Sequence, residues 1–214
     1  MFETLVGQFL SSSFMELTAV LFALAYLTMV VRENILCWYA ALISTLIFLV
    51  IFWRVQLYME AGLQLYYVAM AIYGWHQWSR GGTQSHGITI TTWSIKTHIL
   101  AVFGILLATL ASGIVLTKIS NAYFPFLDSF TTWASIVTTF MVAKKILENW
   151  IYWFVIDGIS VFIYFERELY FTTLLFVIYL VIVVIGYLSW LKDYRGKENT
   201  QRKNLHNALK TKVI

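Results

Sequence analysis

Seven long apolar stretches, separated by short polar or charged breaks, account for most of the chain. The hydrocarbon core of a bilayer, about 30 Å thick, requires roughly 20 predominantly apolar residues from each spanning helix. Stretches of this length with breaks such as Arg32-Glu33-Asn34 favour helices over buried strands. The pattern therefore predicts an all-α membrane protein with spans at residues 12–31, 35–53, 57–78, 98–117, 126–143, 146–165 and 169–191.

The composition supports the membrane interpretation. Hydrophobic residues make up 60% of the chain and charged residues only 12%, whereas the surface of a soluble domain carries roughly 25 to 35% charged residues. The single proline, Pro125, is compatible with long unbroken helices. The single cysteine, Cys37, excludes an intrachain disulfide framework and a cysteine-rich metal site.

The positions of the basic residues predict the orientation in the membrane. With seven spans, the side that holds the N-terminus receives three of the fifteen Lys and Arg residues, and the opposite side receives twelve. Positive-inside bias then places the N-terminus outside the cytoplasm and the C-terminus within it. Seven of the fifteen lie from Lys192 onward, so the net charge of +4 indicates a basic cytoplasmic tail and no nucleic-acid partner. The tail is interpreted as a topology anchor, with contact to anionic lipid as the alternative.

Matching residues in the two halves predict an internal repeat. Asn34-x-x-x-Trp38 of the second span recurs 115 positions later as Asn149-x-x-x-Trp153. Four residues of the third span recur 112 positions later in the seventh, as the pairs Tyr58/Tyr170, Tyr67/Tyr179, Gly74/Gly186 and Trp78/Trp190. Equivalent helices are four spans apart and point the same way, which predicts a parallel 3+1+3 repeat with the pseudo-symmetry of SWEET transporters.

This repeat divides the chain into four parts and predicts where a ligand binds. The parts are a first three-helix repeat (1–79), a linker with connecting helix 4 (80–122), a second three-helix repeat (123–191) and the basic tail (192–214). Parallel repeats place a binding site near the membrane midplane where the halves meet, with alternating access as one half moves against the other.

A polar stripe on the sixth span indicates which residues line that site. Asn149, Trp153, Asp157, Ser160 and Tyr164 fall on one face of about 80° when a helix advances about 100° per residue. Asp157 lies near the middle of the span, where an acidic side chain costs at least about 2.5 to 3.5 kcal/mol. Three interpretations stay open for Asp157: a protonated acid hydrogen-bonded to a neighbouring helix, a counter-charge for a cationic ligand, and a proton carrier.

The other candidate residues offer flat aromatic faces or hydrogen-bonding groups. Tryptophan rings stack on aromatic or cationic rings, and amides and phenols bond to heteroatoms, although each is also common in plain helix packing. The predicted substrate-binding residues are Asn34, Trp38, Gln64, Tyr67, Asn149, Trp150, Trp153, Asp157 and Tyr179. The sequence contains no phosphate-binding glycine loop, zinc-binding histidine pair or nucleophile with its base, so we expect no enzyme, ATP-driven pump, metal or cofactor.

Four short motifs together resemble the PnuC family of bacterial vitamin transporters. They are residues 72–80 (IYGWHQWSR), 124–129 (FPFLDS), 148–153 (ENWIYW) and 159–161 (ISV). The resemblance implies a multi-pass protein of the bacterial inner membrane with the same three-one-three arrangement. It also implies facilitated diffusion of an unphosphorylated vitamin or nucleoside that a cytoplasmic kinase then traps. The sequence leaves a homo-oligomer open.

Within this family, the resemblance suggests two substrates, nicotinamide riboside and thiamine. Both carry a flat, positively charged ring. Nicotinamide riboside carriers have an asparagine at the position of Asp157, and their third helix is richer in phenylalanine than Gln64-Leu-Tyr-Tyr67. These departures favour thiamine slightly, with nicotinamide riboside as the alternative. Proton-coupled transport through Asp157 is a second alternative, and a carrier of neutral sugars or a non-transporting scaffold is a third.

Overall fold

Helices make up nearly all of the structure, a computed structural model that describes residues 14–54, 58–80, 88–119 and 123–211. The seven helices are α1 (Phe14–Val31), α2 (Cys37–Arg54), α3 (Tyr58–Ser79), α4 (Ile95–Ile119), α5 (Pro125–Ala143), α6 (Asn149–Glu166) and α7 (Tyr170–Thr211). Each predicted span corresponds to one helix in the same order. Two predicted span starts, Ser12 and Leu57, lie outside the described residues.

Five helices are long and apolar enough to cross a membrane, namely α1, α2, α4, α5 and α7. The other two, α3 and α6, carry the candidate residues Gln64, Tyr67, Asn149 and Asp157. Polar side chains at membrane depth face a protein interior or a cavity, since lipid offers them no hydrogen bonds. We therefore expect α3 and α6 to turn their polar faces towards other helices.

Six of the seven described helices form a closed ring. Each helix packs on the next in the order α1, α2, α3, α5, α6, α7, and α7 packs back on α1, while α4 packs on α5. We call α1–α3 the first helix set and α5–α7 the second helix set. The two sets meet at two contacts, α3 on α5 and α1 on α7.

Two tight corners connect helices within the sets, at residues 32–36 and 144–148. Glu33 and Lys145 adopt left-handed backbone conformations there, with φ of 51° and 50°. In each corner the following residue donates its backbone N–H to the carbonyl five positions back, at Met29 (3.0 Å) and Met141 (2.9 Å). This is the Schellman arrangement that ends helices, in which glycine is the usual left-handed residue. A third turn of this kind lies between α6 and α7, where Glu168 has a φ of 58° and the Leu169 N–H donates to the Tyr164 carbonyl (2.9 Å).

These corners and their neighbours recur at a spacing of 112 residues. The ring of Trp38 lies against Gly74, and the ring of Trp150, 112 positions after Trp38, lies against Gly186 in the same way. The structure thus corrects the offset of 115 predicted for the second and sixth spans. Trp150, and not Trp153, is the counterpart of Trp38.

Four tryptophan rings pack in a row at the end of the bundle that holds both corners, which we call the corner end. This tryptophan tetrad consists of Trp38, Trp78, Trp190 and Trp150, and its successive ring centroids are 5.5, 6.4 and 5.4 Å apart. The Trp78 indole N–H donates to the Ala143 carbonyl of the second helix set (3.2 Å), and the Trp190 indole N–H donates to the Val30 carbonyl of the first (3.1 Å). The tetrad therefore joins the two helix sets.

The segment before α4 fixes the second corner. The Thr91 N–H donates to the Lys145 carbonyl (3.0 Å), and the Thr91 carbonyl accepts from the Leu147 N–H (2.8 Å). Ile90 is buried in the same core as the tetrad. Because this short bridge holds residues 145–147, α6 begins at Asn149 and not at the predicted 146.

The last helix continues far beyond its predicted end at residue 191. α7 contains 42 residues and includes most of the basic tail. At about 1.5 Å per residue it is about 63 Å long, twice the thickness of a hydrocarbon core of about 30 Å. The sequence predicted a basic tail beyond residue 191 but did not predict that it is helical.

The contact of Gly186 with Trp150 is the basis of a stability prediction. Gly186→Ala places a Cβ 2.5 Å from Cη2 of Trp150, closer than carbon atoms pack. We expect a loss of about 1 to 3 kcal/mol of stability, as is typical of overpacked cores. The measurement is the midpoint of thermal unfolding of the purified protein in detergent.

Gly104→Ala is the matched control, because a Cβ at Gly104 meets nothing within 4 Å. It should leave the midpoint unchanged or raise it slightly, since alanine favours helix over glycine. Equal shifts for the two variants would contradict the proposed close packing.

Candidate binding site

The polar stripe of α6 faces the interior of the helix ring. Asp157 is only 4% exposed, and Ser160 and Asn149 are also buried. The opposite face of the helix is apolar and exposed, through Ile151, Phe154, Val155, Phe162 and Phe165. The helix therefore separates a surface suited to lipid from a polar inner surface.

Asp157 is the acidic group on this inner surface. Among the residues that the structure describes, its carboxylate has no hydrogen bond and no basic partner. Tyr179 of α7 lies within electrostatic range of it. The interpretation that Asp157 bonds to a neighbouring helix thus finds no such bond in the described part of the chain. The acid is available to a ligand.

Aromatic side chains of α6 and α7 surround the acid. Trp153 lies one turn before Asp157, is half-buried and packs between the two hydrophobic clusters of the bundle. Further along, the rings of Tyr164, Phe176 and Tyr179 follow one another with centroid distances of 5.1 and 5.4 Å. Such rings provide flat faces and, in the tyrosines, hydroxyl groups.

The opposite wall comes from α3 and α5. Tyr67 is half-buried and interacts with the side chain of Ser135. It also lies within electrostatic range of Tyr164, on the opposite side of the ring of helices. Its neighbour Tyr66 donates its hydroxyl to the Ile136 carbonyl (2.7 Å) and so holds α3 on α5. Gln64, one turn before Tyr67 on the same side of α3, is also half-buried. Polar groups of both helix sets thus approach each other inside the ring.

The remaining four candidates lie at the corner end. The rings of Trp38 and Trp150 are fully enclosed in the tetrad, and their indole nitrogens have no hydrogen-bond partner among the described residues. The Asn149 amide donates to the Ile146 carbonyl (2.6 Å), and the Asn34 side chain accepts a backbone N–H two residues on (2.9 Å). Asn149 Oδ1 is also buried without a partner among the described residues, so a binding role for these four stays a prediction; the site proposed below is built on the residues nearer Asp157.

The acid and the tetrad occupy different depths along the helices. Asp157 follows Trp150 by seven residues, and Tyr179 precedes Trp190 by eleven. At about 1.5 Å per residue, the acid and the tyrosine lie roughly 10 and 16 Å from the tetrad. These depths correspond to the middle of a membrane about 30 Å thick.

Two residues near the site were not among the predicted binding residues. Tyr164 lies on the predicted α6 stripe, and its phenol was a signal that the candidate set left out. Ser135 of α5 had no signal in the sequence, because a serine in an apolar helix usually bonds to its own backbone.

The arrangement is suited to a planar cation. A carboxylate provides the counter-charge, tryptophan and tyrosine rings provide stacking surfaces, and phenols provide donors and acceptors. Among the described residues no group of three His, Cys, Asp or Glu side chains is placed to hold a metal ion.

Comparison with known proteins identifies the family. The family model described as nicotinamide mononucleotide transporter matches residues 13–192. The nicotinamide riboside transporter PnuC of Escherichia coli (strain K12) is 27% identical over 190 residues, which cover 77% of this chain and 80% of that protein. The riboflavin/roseoflavin transporter RibM of Streptomyces davaonensis is 26% identical over 169 residues, 74% of this chain and 76% of that protein.

A solved structure shares the fold. The crystal structure of the vitamin B3 transporter PnuC aligns with a TM-score of 0.70 and 21% identity, over 89% of this chain and 88% of that chain. The family match covers most of the sequence, including the four motifs that resemble the family. The chain belongs to the nicotinamide mononucleotide transporter family, the PnuC family, and is a multi-pass transporter of the bacterial inner membrane and not an enzyme.

Proposed function

We propose that this protein takes up nicotinamide riboside by facilitated diffusion with alternating access. The observation that carries the proposal is the buried Asp157 carboxylate, without a basic partner among the described residues, beside the half-buried ring of Trp153. Nicotinamide riboside has a flat pyridinium ring with a fixed positive charge, for which a carboxylate and an aromatic face are complementary. A relative named as a nicotinamide riboside transporter supports the choice.

Thiamine, which the sequence slightly favoured, becomes the comparison substrate. The preference rested on an acid at position 157 where nicotinamide riboside carriers have an asparagine. A carboxylate also accepts hydrogen bonds from ribose hydroxyls, so the acid alone does not separate the two vitamins. The relative named for riboflavin, a neutral flat molecule, makes riboflavin a third ligand to test.

We further propose that the two helix sets are the moving halves of a 3+1+3 repeat. The recurrence of the corner backbone and of the tryptophan–glycine contacts at one spacing supports this repeat. The distribution of Lys and Arg favours an N-terminus outside and the basic tail in the cytoplasm. A cytoplasmic kinase that phosphorylates the vitamin would trap it, because uniport alone does not accumulate substrate. Binding in this scheme involves Gln64, Tyr67, Trp153, Asp157 and Tyr179.

The first test concerns the stacking face. Trp153→Ala should weaken binding of nicotinamide riboside by about three- to thirtyfold, because a cation–π contact contributes roughly 0.5 to 2 kcal/mol. Trp133→Ala is the control, since Trp133 lies on α5 and its indole N–H donates to Ser112 of α4 (3.0 Å), on the side of α5 that contacts α4. Isothermal titration calorimetry in detergent measures the affinities of both variants. Equal affinities for the two variants would place the stacking face elsewhere.

The second test separates charge from stability at Asp157. Asp157→Asn should weaken the binding of nicotinamide riboside and of thiamine by at least about tenfold. A hydrogen bond or contact to a charged group contributes roughly 1.5 to 3 kcal/mol. The same substitution should weaken the binding of neutral riboflavin or a neutral sugar much less. Asp157→Leu should abolish binding yet raise the thermal midpoint, because an apolar residue at this depth avoids the cost of the acid.

Asp193→Asn is the control for the charge test, since Asp193 is an exposed carboxylate of α7 beyond the membrane span. A side-by-side titration of the four ligands with each variant decides the substrate class. Equal losses for charged and neutral ligands in Asp157→Asn would refute the counter-charge, and a less stable Asp157→Leu would indicate a structural acid.

The third test separates uniport from proton coupling. In vesicles at fixed external substrate, a uniporter should equilibrate the vitamin and no more, whatever the proton gradient. Proton-coupled transport through Asp157 would instead raise the final internal concentration above the external one when the gradient is imposed. Radiolabelled uptake with and without a protonophore measures the difference, and empty vesicles provide the baseline.

A further inference from the structure

An ion pair joins the two helix sets at the corner end. Lys145 Nζ lies 2.6 Å from Glu33 Oε2, and the two residues are 112 positions apart. The lysine is 1% exposed, and its ammonium group lies 4.4 Å from the ring centroid of Trp78. A buried ammonium group requires a partner, because an unpaired charge is very costly away from water. Glu33 and the Trp78 ring supply that stabilisation from the first helix set.

The two partners hold equivalent positions in the two corners. Each is the left-handed residue that ends a helix, α1 for Glu33 and α5 for Lys145, with almost the same φ. A non-glycine residue in this conformation is strained by about 1 to 3 kcal/mol, and such strain persists where the surroundings compensate for it. The helix-ending hydrogen bonds at Met29 and Met141 stabilise this conformation, and the ion pair adds a direct contact between the two corners.

The ion pair and the tetrad together join the two helix sets at the corner end. Trp78 of the first set and Trp190 of the second meet at 6.4 Å between ring centroids, and Lys145 lies on the Trp78 ring. The inner face that carries Asp157 begins about two turns further along the helices. Any solute that leaves the site through the corner end must pass the contact between these two rings.

We propose that the Glu33–Lys145 pair and the Trp78–Trp190 contact form the gate at the corner end, and that this end opens only when the ion pair separates. The inference rests on the alternating access of the proposed function but not on its substrate. Separation leaves an ammonium group that must be hydrated, so opening admits water to the corner. Loss of either charge therefore shifts the equilibrium towards the open state.

Cys37 provides a built-in reporter of this opening. It is the only cysteine in the chain, is fully buried at the first residue of α2 and lies within electrostatic range of Lys145. A membrane-impermeant maleimide should react slowly with it while the gate is closed. The assay contains no vitamin, so its outcome is independent of which substrate the protein carries.

The decisive variant is Glu33→Gln, labelled in inside-out and right-side-out vesicles. We expect Cys37 to react at least about tenfold faster than in the wild type, from the side on which the corner end lies. Arg32→Gln is the matched control, because Arg32 is an exposed residue of the same corner. It should label at the wild-type rate. Equal rates for Glu33→Gln and the wild type would overturn the gate.

The charge swap tests the pairing itself. Because the two positions are equivalent, Glu33→Lys combined with Lys145→Glu keeps the ion pair with its direction reversed. We expect labelling within about threefold of the wild-type rate, since the closed state regains its paired charges. A swap that labels as fast as Glu33→Gln would show that the pair does not hold the gate.

Rates are compared per folded protein, taken as the fraction that elutes as one species in size-exclusion chromatography. Should Glu33→Gln not fold, Glu33→Asp replaces it, because the shorter side chain keeps the charge but lengthens the contact. The labelling rate of Cys37 in that variant is then compared with the wild-type rate, and we expect an increase of about threefold. An unchanged rate in that variant overturns the proposal, and an increase that the Arg32→Gln control lacks supports it.

Discussion

A carboxyl group at the middle of a membrane helix has to be turned away from lipid, and this constraint organises the bundle. Asp157 and the other polar residues of α6 share one buried face, while the exposed face of that helix is apolar. The ring of six helices satisfies the constraint, because it lets α3 and α6 direct their polar faces inward. Outside the ring, α4 adds an apolar helix against α5. Membrane insertion and ligand binding thus depend on the same division between inner and outer faces.

The two ends of the bundle differ in packing, and the difference matters for transport. At the corner end, tryptophan rings lie directly on Gly74 and Gly186, which leaves them fully buried. Buried tryptophans contribute much of the apolar area of a core, roughly 150 to 250 Å² each. Around Asp157, by contrast, Trp153 and Tyr67 are only half-buried. The corner end is therefore the more completely buried of the two regions, and it holds the two helix sets together.

Much of the fold was predictable because bilayer thickness fixes the length of an apolar stretch. The predicted α2 and α5 begin or end within two residues of the observed ones, and the inward stripe of α6 follows from helical periodicity. The counterpart of Trp38 was not predictable, since Trp150 and Trp153 both match it and a shared asparagine favoured the wrong one. Only the contacts with glycine decide between them.

Other features depend on contacts between residues far apart in the chain. Glu33 and Lys145 lie in the short polar segments between predicted spans, and such segments served only to predict the spans and their orientation. No local pattern predicts that the two side chains meet. The bridge of Thr91 to the second corner is equally non-local, since it pairs a linker with a turn more than fifty residues away. In the candidate site, the stripe predicted Trp153 and Asp157, whereas the interaction of Ser135 with Tyr67 joins two helices and no pattern within either helix predicts it.

The recurrence at 112 residues also reveals a difference in charge between the inner faces of the two helix sets. Tyr67 and Tyr179 are counterparts and supply similar phenols from the two helix sets, but the counterpart of Asp157 is Thr45. The Thr45 hydroxyl donates to the carbonyl of Ala41 in its own helix (2.9 Å), so it offers no charge to the interior. If the substrate is a cation, as proposed, this difference would draw it towards α6. An acid on each side would instead repel its counterpart across a low-dielectric space or call for a divalent cation. Under the proposed function, a carboxylate on α6 alone would favour a ligand with a single positive charge, oriented with that charge towards α6.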